Sequence, residues 1–566
     1  MSAWGRSCCC CCWLKRAKKR MEKREDVRSI LPYLPLVMRS STLFWPSQVV
    51  QAFRDLATGP LHSRVDSGQL LFLAISDLRN SLSLSSSSFP LSPSVSLGYE
   101  LFFDELMSRE ESRKWFEEVI PALGNLLLRL PSLLEAHYEN SDMVMDGGGD
   151  TVRTGLRLLD TQQAGIVFLS QELIAALLGC SLFCLFPDND RSVKNLPMIN
   201  FDELFACLYD DYSQKQEDKI RCIIHYFQRI SHDMPKGVVS FERKVLPFEA
   251  NLVHISYPNS DFWSTSVIPL CKFEVHSSGL IEDQSSGAVE VDFANEYLGG
   301  GALRRGCVQE EIRFMVSPEL IAGMLFLPSM ADNEAIEIVG VERFSSYTGY
   351  ASSFRFSGDY VDKKDIDTHG RRKTKIVAID ALCSPGTRQY RENFILREIN
   401  KAFCGFLDQS THQWDHKCEN GCSSALLNAA ALTSMETSEG KISNHEFRNS
   451  QNDYHRIEQE NNIGIATGNW GCGAFGGDPE LKTIIQWLAA SQALRPFMEY
   501  YTFGLRALHN LDEVVDWILS QKWTVGELWN MLIEYSKRRS KGETNIGFLR
   551  WLLPSVYGHD TEMDLS

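Results

Sequence analysis

Three consecutive glycines, Gly299, Gly300 and Gly301, are followed eight residues later by Gln309, Glu310 and Glu311, an amide and two carboxyl groups in a row. Glycine has no Cβ, so this backbone can take positive φ and turn successive N–H groups into one concavity, a nest suited to phosphate oxygens. Arg304 and Arg305 stand beside it. The glutamates precede an apolar run, Ile312, Phe314, Met315 and Val316, that is fit to be buried. Adjacent side chains diverge by about 100° on a helix and to opposite faces on a strand. Only one of the two glutamates can therefore face a given ligand atom, and its neighbour must do something else. Taken separately, the glycines also read as a tight turn and the glutamates as a solvated pair.

The elements that must hold these groups are a strand and a buried segment. Val289, Val291 and Phe293 alternate as in a strand, the glycines form the loop, and the glutamates open a buried helix or strand. From Glu25 to about Asp233 the pattern is mostly helical, with apolar residues three and four apart over 49–56, 100–108, 109–130, 152–159 and 201–230. After about Met234 strands alternate with helices. Candidate strands are 238–243, 270–275, 288–293, 335–341, 375–379, 463–467 and 498–503. Ser317, Pro318 and Glu319 make a helix start, and Asp478–Leu494 and Thr524–Lys537 are further helices, the last opened by a Thr524 and Glu527 capping box. The alternation predicts an α/β fold, a mixed sheet flanked by helices. The expected organisation is a leader (1–24), a helical accessory domain (25–232), a catalytic domain (233–540) with a polar, disordered insert (408–462), and a tail (541–566).

The order GGGALRRGCVQEE resembles the signature of poly(ADP-ribose) glycohydrolases, and the likeness extends outward. GLIEDQSSGAVEVDFAN upstream, then YTGYASSF, KIVAIDAL, the loop ATGNWGCGAFGGDPELK and YYTFG downstream follow the family's order and spacing over roughly 165–540, closest to the plant members. The resemblance implies a macrodomain-like catalytic fold and hydrolysis of the ribose-to-ribose O-glycosidic bonds of poly(ADP-ribose), releasing ADP-ribose. Such a reaction needs a proton for the leaving hydroxyl and an activated water, typically from one carboxyl group whose pKa burial raises. By resemblance Glu311 is that general acid and base, without a glycosyl-enzyme intermediate, and Glu310 holds ribose hydroxyls. Asp292 joins the catalytic group, and with Asn295 it fixes the terminal ribose; the alternative for Asp292 is capping the loop. Gln309, Gly299, Gly300 and Gly301, and in the second loop Asn469, Gly471, Gly473 and Phe475, are the expected diphosphate and ribose contacts. Ile281 and Glu282 grip adenine, while Tyr347, Tyr350 and Phe503 offer aromatic faces. The runner-up is a macrodomain that reads ADP-ribose without cleaving it, and an intact QEE argues against that.

Composition sets limits around this reading. The 566 residues carry a net charge of −16, which argues against a general polyanion binder and against direct DNA binding, so attraction to the polymer must be local. Five of the 16 cysteines form the run Cys8–Cys12, and Cys180, Cys184, Cys207, Cys222, Cys271 and Cys404 lie singly among apolar residues, the pattern of reduced intracellular thiols. No secretory signal is read in the leader, whose basic cluster Lys15–Arg20 is either an import signal or part of a disordered or mis-assigned start before Met21. Nucleus and cytoplasm are the expected locations. The stretch from Gly165 to Pro187, broken by Gln171 and Glu172, reads as a buried core helix rather than a membrane span. His412, His416, Cys418 and Cys422 have the residue types of a zinc site but no core around them. No metal, cofactor or membrane is expected, and the chain is expected to be a monomer.

Overall fold

The computed structural model describes residues 21–84, 91–141, 153–188, 191–248, 256–408 and 463–557. The cysteine run, the Lys15–Arg20 cluster, the residues His412, His416, Cys418 and Cys422, and the end of the tail lie outside the described residues.

Twelve strands are found in the described chain: β1 (Val37–Arg39), β2 (Thr42–Phe44), β3 (Gly165–Ser170), β4 (Val238–Val245), β5 (Lys272–His276), β6 (Val289–Ala294), β7 (Glu334–Val339), β8 (Ser345–Thr348), β9 (Arg355–Asp359), β10 (Lys375–Asp380), β11 (Ile465–Gly468) and β12 (Phe497–Tyr501). Eight of them form one sheet in the order β3-β4-β7-β10-β6-β11-β12-β5. Its β3, β4, β7 and β10 pair antiparallel, whereas β6, β11, β12 and β5 pair parallel. The mixed sheet with flanking helices is the architecture that the alternation of elements predicts.

The chain divides into two compact units. The first takes the residues up to Val245 together with Asp292–Asp380, and the second takes Leu246–Val291 and the chain from Ala381 onward. In the first unit one apolar core runs from the N-terminal helices to the strands, with Phe53, Trp115, Leu127, Phe205, Phe227, Phe314 and Ile336 shut off from solvent. The helices Asp202–Asp210 and Gln214–His232 belong to it, as do β7 and the site helix Gln309–Val316. Arg243 and Glu334 form a fully buried ion pair within this unit, and Arg243 Nε also donates to the Leu159 carbonyl at 3.0 Å. In the second unit Asp478 caps the helix Pro479–Gln492 by accepting from the Glu480 N–H at 2.9 Å. The Thr524 and Glu527 capping box opens Val525–Lys541 as expected.

Four local expectations are corrected. The apolar stretch from Gly165 is a strand, β3, followed by the helix Gln171–Leu182, because the Ser170 hydroxyl accepts from the Leu173 N–H at 3.2 Å and starts the helix there. Gln171 is buried because its amide is used twice, accepting from the Gly237 N–H at 2.7 Å and donating to Glu319 at 2.8 Å. Residues 153–159 carry no helix, and 201–230 is two helices separated around Asp211. Finally, Pro318–Leu325 is a 3₁₀ helix, and the Ser317 hydroxyl accepts from Arg313 Nη1 at 2.6 Å instead of capping. The helical run 109–140 is long and apolar enough to cross a membrane, yet its Leu123, Leu127, Leu130 and Leu134 are buried in the core of the first unit.

Candidate active site

In the first unit the glycine loop and the helix after it are joined by the two glutamates. Glu310 accepts from the Asn295 N–H at 2.9 Å with one oxygen and from the Gly299 N–H at 2.7 Å with the other. Glu311 accepts from the Gly301 N–H at 3.0 Å and, at the third position of its helix, reaches back to the Val308 N–H at 2.8 Å. That second bond is half of a capping box, and it explains locally why the helix begins where it does. Gln309 ties the same helix to β6 by accepting from the Phe293 N–H at 2.8 Å. The Gly300 N–H donates to the Tyr297 carbonyl at 2.9 Å. The three glycine N–H groups, expected to meet a diphosphate, are each donated inside the loop-and-helix unit.

Two glycines are required by this closeness. Gly300 has φ +48°, and a Cβ there would lie 2.6 Å from Glu310 Oε2 and 2.9 Å from Glu311 Oε1. Gly306 would place a Cβ 2.6 Å from Glu311 Oε1. The carboxyl groups thus press on bare backbone.

Asp292 stands within β6, two residues before its end, 1% exposed, and its Oδ1 has no hydrogen-bond partner. Burial and then the Glu311 carboxyl push its pKa up to about 8, against the pull of Arg313. Burial, then Asp292 and Glu311, raise Glu310 well above the usual carboxylate range. Like charges crowded in a dry site cannot all ionise, so this group retains protons at neutral pH. Capping of the loop falls to Asn295, whose Oδ1 accepts from the Tyr297 N–H at 3.0 Å. Glu311 is 8% exposed, buried but reachable. Tyr350 is half exposed; burial of its hydroxyl raises its pKa, while a hydrogen bond with the Gln309 backbone lowers it, which puts the ring beside the start of the site helix. Tyr347 lies on β8, its ring centroid 5.6 Å from that of Phe354 and under the Arg343 guanidinium.

The remaining candidates belong to the second unit. Asn469 follows β11 and uses its amide to hold the end of β12, accepting from the Tyr500 hydroxyl at 3.2 Å and donating to the Thr502 carbonyl at 3.1 Å. The glycine loop behind it folds back on itself, with the Gly477 N–H donating to the Gly471 carbonyl at 2.9 Å. Gly471 has φ +72°, and a Cβ there would meet the Ala381 Cβ at 2.6 Å and Lys482 Nζ at 3.1 Å. Lys482 is buried, ion-paired with Glu398, with its ammonium 4.0 Å from the centre of the Trp470 ring. Gly473 faces open space, and Phe475 is half-buried. Ile281 and Glu282 are buried in a short 3₁₀ turn. Phe503 is half exposed at φ +50°, a left-handed position uncommon for a non-glycine residue.

Sequence reasoning missed Lys219, Arg313 and Lys482. Each is a charged residue inside an apolar helical stripe, which is the signal that could have found them. Among the described residues Glu274, His276 and Glu499, on β5 and β12, bring ligand atoms within 4.8 Å of one another, the arrangement closest to a metal set; Glu274 is ion-paired with Lys272 at 2.5 Å.

Comparison with known proteins matches residues 107–243 to the helical domain, and 260–510 to the macro domain fold, of poly(ADP-ribose) glycohydrolase. The chain is 58% identical to poly(ADP-ribose) glycohydrolase 1 of Arabidopsis thaliana over 95% of its own length and 98% of that protein. It belongs to the poly(ADP-ribose) glycohydrolase family. A second Arabidopsis thaliana relative, a probable poly(ADP-ribose) glycohydrolase 2, is 54% identical over 95% of this chain and all of that protein. A Caenorhabditis elegans poly(ADP-ribose) glycohydrolase 1 is 31% identical over 56% of this chain and 35% of that protein. The chain is therefore a plant-type member of a glycosidase family, and the macro fold expected from its motifs is the family's own.

Proposed function

We propose that this chain hydrolyses the ribose-to-ribose O-glycosidic bonds of poly(ADP-ribose) and releases ADP-ribose. The observation that carries this reading is the Glu311 carboxyl, held by the Gly301 and Val308 N–H groups in a buried cluster with Asp292 and Glu310. Glu311 gives the proton to the leaving ribose hydroxyl and then activates the water, one carboxyl acting in turn as acid and base. Glu310 keeps the loop in shape and meets ribose hydroxyls. Asp292, with an unpartnered oxygen, takes the terminal ribose together with Asn295. The diphosphate falls chiefly to Asn469, Gly471, Gly473 and Phe475, because the N–H groups of Gly299 and Gly301 already serve carboxylates. Ile281 and Glu282 hold adenine, and Tyr350 and Phe503 stack, each stacked base adding about 1–3 kcal/mol. The enzyme works as a monomer without DNA, membrane or metal, in nucleus and cytoplasm.

The test is release of ADP-ribose from labelled polymer by the purified chain, with mono-ADP-ribosylated protein as the second substrate. Free ADP-ribose from the polymer supports the proposal. Tight ADP-ribose binding without release would identify a reader instead, and release only from the mono-modified protein would move the scissile bond to a side chain.

A further inference from the structure

The helix Gln214–His232 carries a lysine where its buried stripe calls for hydrocarbon. Lys219 lies one turn before Ile223 and two before Phe227, and it is fully buried like them. An ammonium taken out of water is costly unless its charge or its donors are used. Lys219 Nζ donates to the Arg304 carbonyl at 2.5 Å, and Lys215, one turn earlier, donates to the Arg305 carbonyl at 3.2 Å. Two successive carbonyls of the segment between Gly301 and Gly306 are thus held from one helix.

That segment leads directly to the acid. The Arg304 and Gly306 N–H groups donate to the Gly301 carbonyl at 2.9 and 3.1 Å, and the Gly301 N–H donates to Glu311. A pull on the Arg304 carbonyl is therefore passed through one peptide turn to the hydrogen bond that orients Glu311. The lysine also lies in the field of that carboxyl. Burial depresses its pKa to about 8, opposed first by Cys307 and then by Glu311, with Lys215 adding to the depression and Cys207 opposing it. The groups that face it are thus Cys307 and Glu311 from the loop and site helix, Cys207 from Asp202–Asp210, and Lys215 and Cys222 from its own helix. Arg305 in turn faces Cys207.

We propose that Lys219 is a positioning residue for polymer cleavage: its ammonium clamps the Arg304 carbonyl that closes the first glycine loop and sets a positive charge in the field of Glu311. This rests on the glycohydrolase reading above. A purely structural lysine would leave the pH dependence of turnover unmoved, which separates the two roles.

The experiment measures kcat for labelled polymer against pH in the full-length wild type, Lys219→Gln and Lys219→Arg, with ADP-ribose affinity by calorimetry and thermal melting as controls. Wild-type kcat falls as pH rises through about 8, where both Lys219 and Asp292 lose a proton. Lys219→Gln keeps a donor but no charge; its kcat is at least about tenfold lower near neutral pH, the size expected for a slightly misplaced catalytic group, and only the Asp292 share of that limb remains, so its fall is shallower than the wild-type one, while ADP-ribose affinity stays within about threefold. Lys219→Arg stays charged, so its limb is likewise shallower than the wild-type one, without the loss of rate near neutral pH. Wild-type and Gln profiles that superimpose after scaling, or an Arg limb that coincides with the wild-type one, overturn the proposal. If one variant fails to melt cooperatively, the other against wild type decides alone. Absence of any wild-type turnover defeats the functional reading and this inference with it; turnover with an unmoved limb defeats only the role of Lys219.

Discussion

The two glycine-rich loops look alike as sequence and are opposite as chemistry. At 299–301 the bare backbone is filled by carboxylates, and an added Cβ at Gly300 would strike Glu310 and Glu311 oxygens. At 471–477 the side chain behind the backbone is the ammonium of Lys482, while Gly473 and Gly476 face open space. The first loop is closed against its own helix by acids. The second is backed by a cation, though one already paired with Glu398, and stays open in front. Under the proposed function the anionic diphosphate would go to the second loop, and the ribose whose leaving oxygen takes the proton to the first. Glycine therefore serves two ends here: at Gly300 it lets an acid approach the chain, and at Gly473 it leaves room.

Under the proposed function this contrast would separate catalysis from affinity, and mutation can break it. Among the residues that shape the two loops, the largest effect is expected for Glu310→Gln, which puts an NH₂ group against one of two backbone donors; kcat should fall at least about a hundredfold, well beyond the loss of ADP-ribose affinity from its ribose contacts. Equal losses in kcat and affinity would blur the division between the loops. Next comes Gly471→Ala, strained at φ +72° and crowded by Ala381; it should raise KM about tenfold while kcat stays within about threefold. A fall in kcat alone would give the second loop a chemical role. Asp292→Asn should abolish ribose positioning but protect the fold from alkali. The Asp292 pKa is raised to about 8 in the fold from about 4 in the unfolded chain, so its contribution to stability is complete below about pH 4 and lost as pH rises through about 8. The melting temperature of Asp292→Asn relative to wild type should therefore increase steadily from pH 5 to pH 8, by about a few degrees overall; a difference independent of pH would refute the shifted carboxyl. The smallest effect is expected for Gly473→Ala, whose Cβ meets nothing within 4 Å. Its kinetics should stay within about twofold of wild type, and a larger loss would show the ligand's backbone pressing on that residue.

The outline of the sheet and the residues of the acid cluster were legible before the structure, because they depend on local signals. The alternation of Val289, Val291 and Phe293 marks β6, and the apolar run after Glu311 marks a buried segment. The local pattern there fits a helix or a strand alike, and the structure answers with a helix whose start Glu311 itself caps. β3 was hidden because a continuous apolar run has no period to separate a strand from the helix Gln171–Leu182 behind it. The partners of the acids were not legible at all. Lys219 and Arg304 are 85 residues apart, and although a lysine in register with Ile223 and Phe227 marks a charge inside an apolar stripe, nothing in the sequence says which carbonyl it meets. The bonds of the first glycine N–H groups are likewise not legible, since the sequence shows which backbone is bare but not that two carboxyl groups fold back onto it.

The most direct test is the rate of ADP-ribose release from labelled polymer by Glu311→Gln beside wild type, with ADP-ribose binding measured on both. Loss of at least about a hundredfold in rate with binding retained is the predicted result, the lower range for a missing general acid. An unchanged rate would contradict the account and move the proton donor away from Glu311.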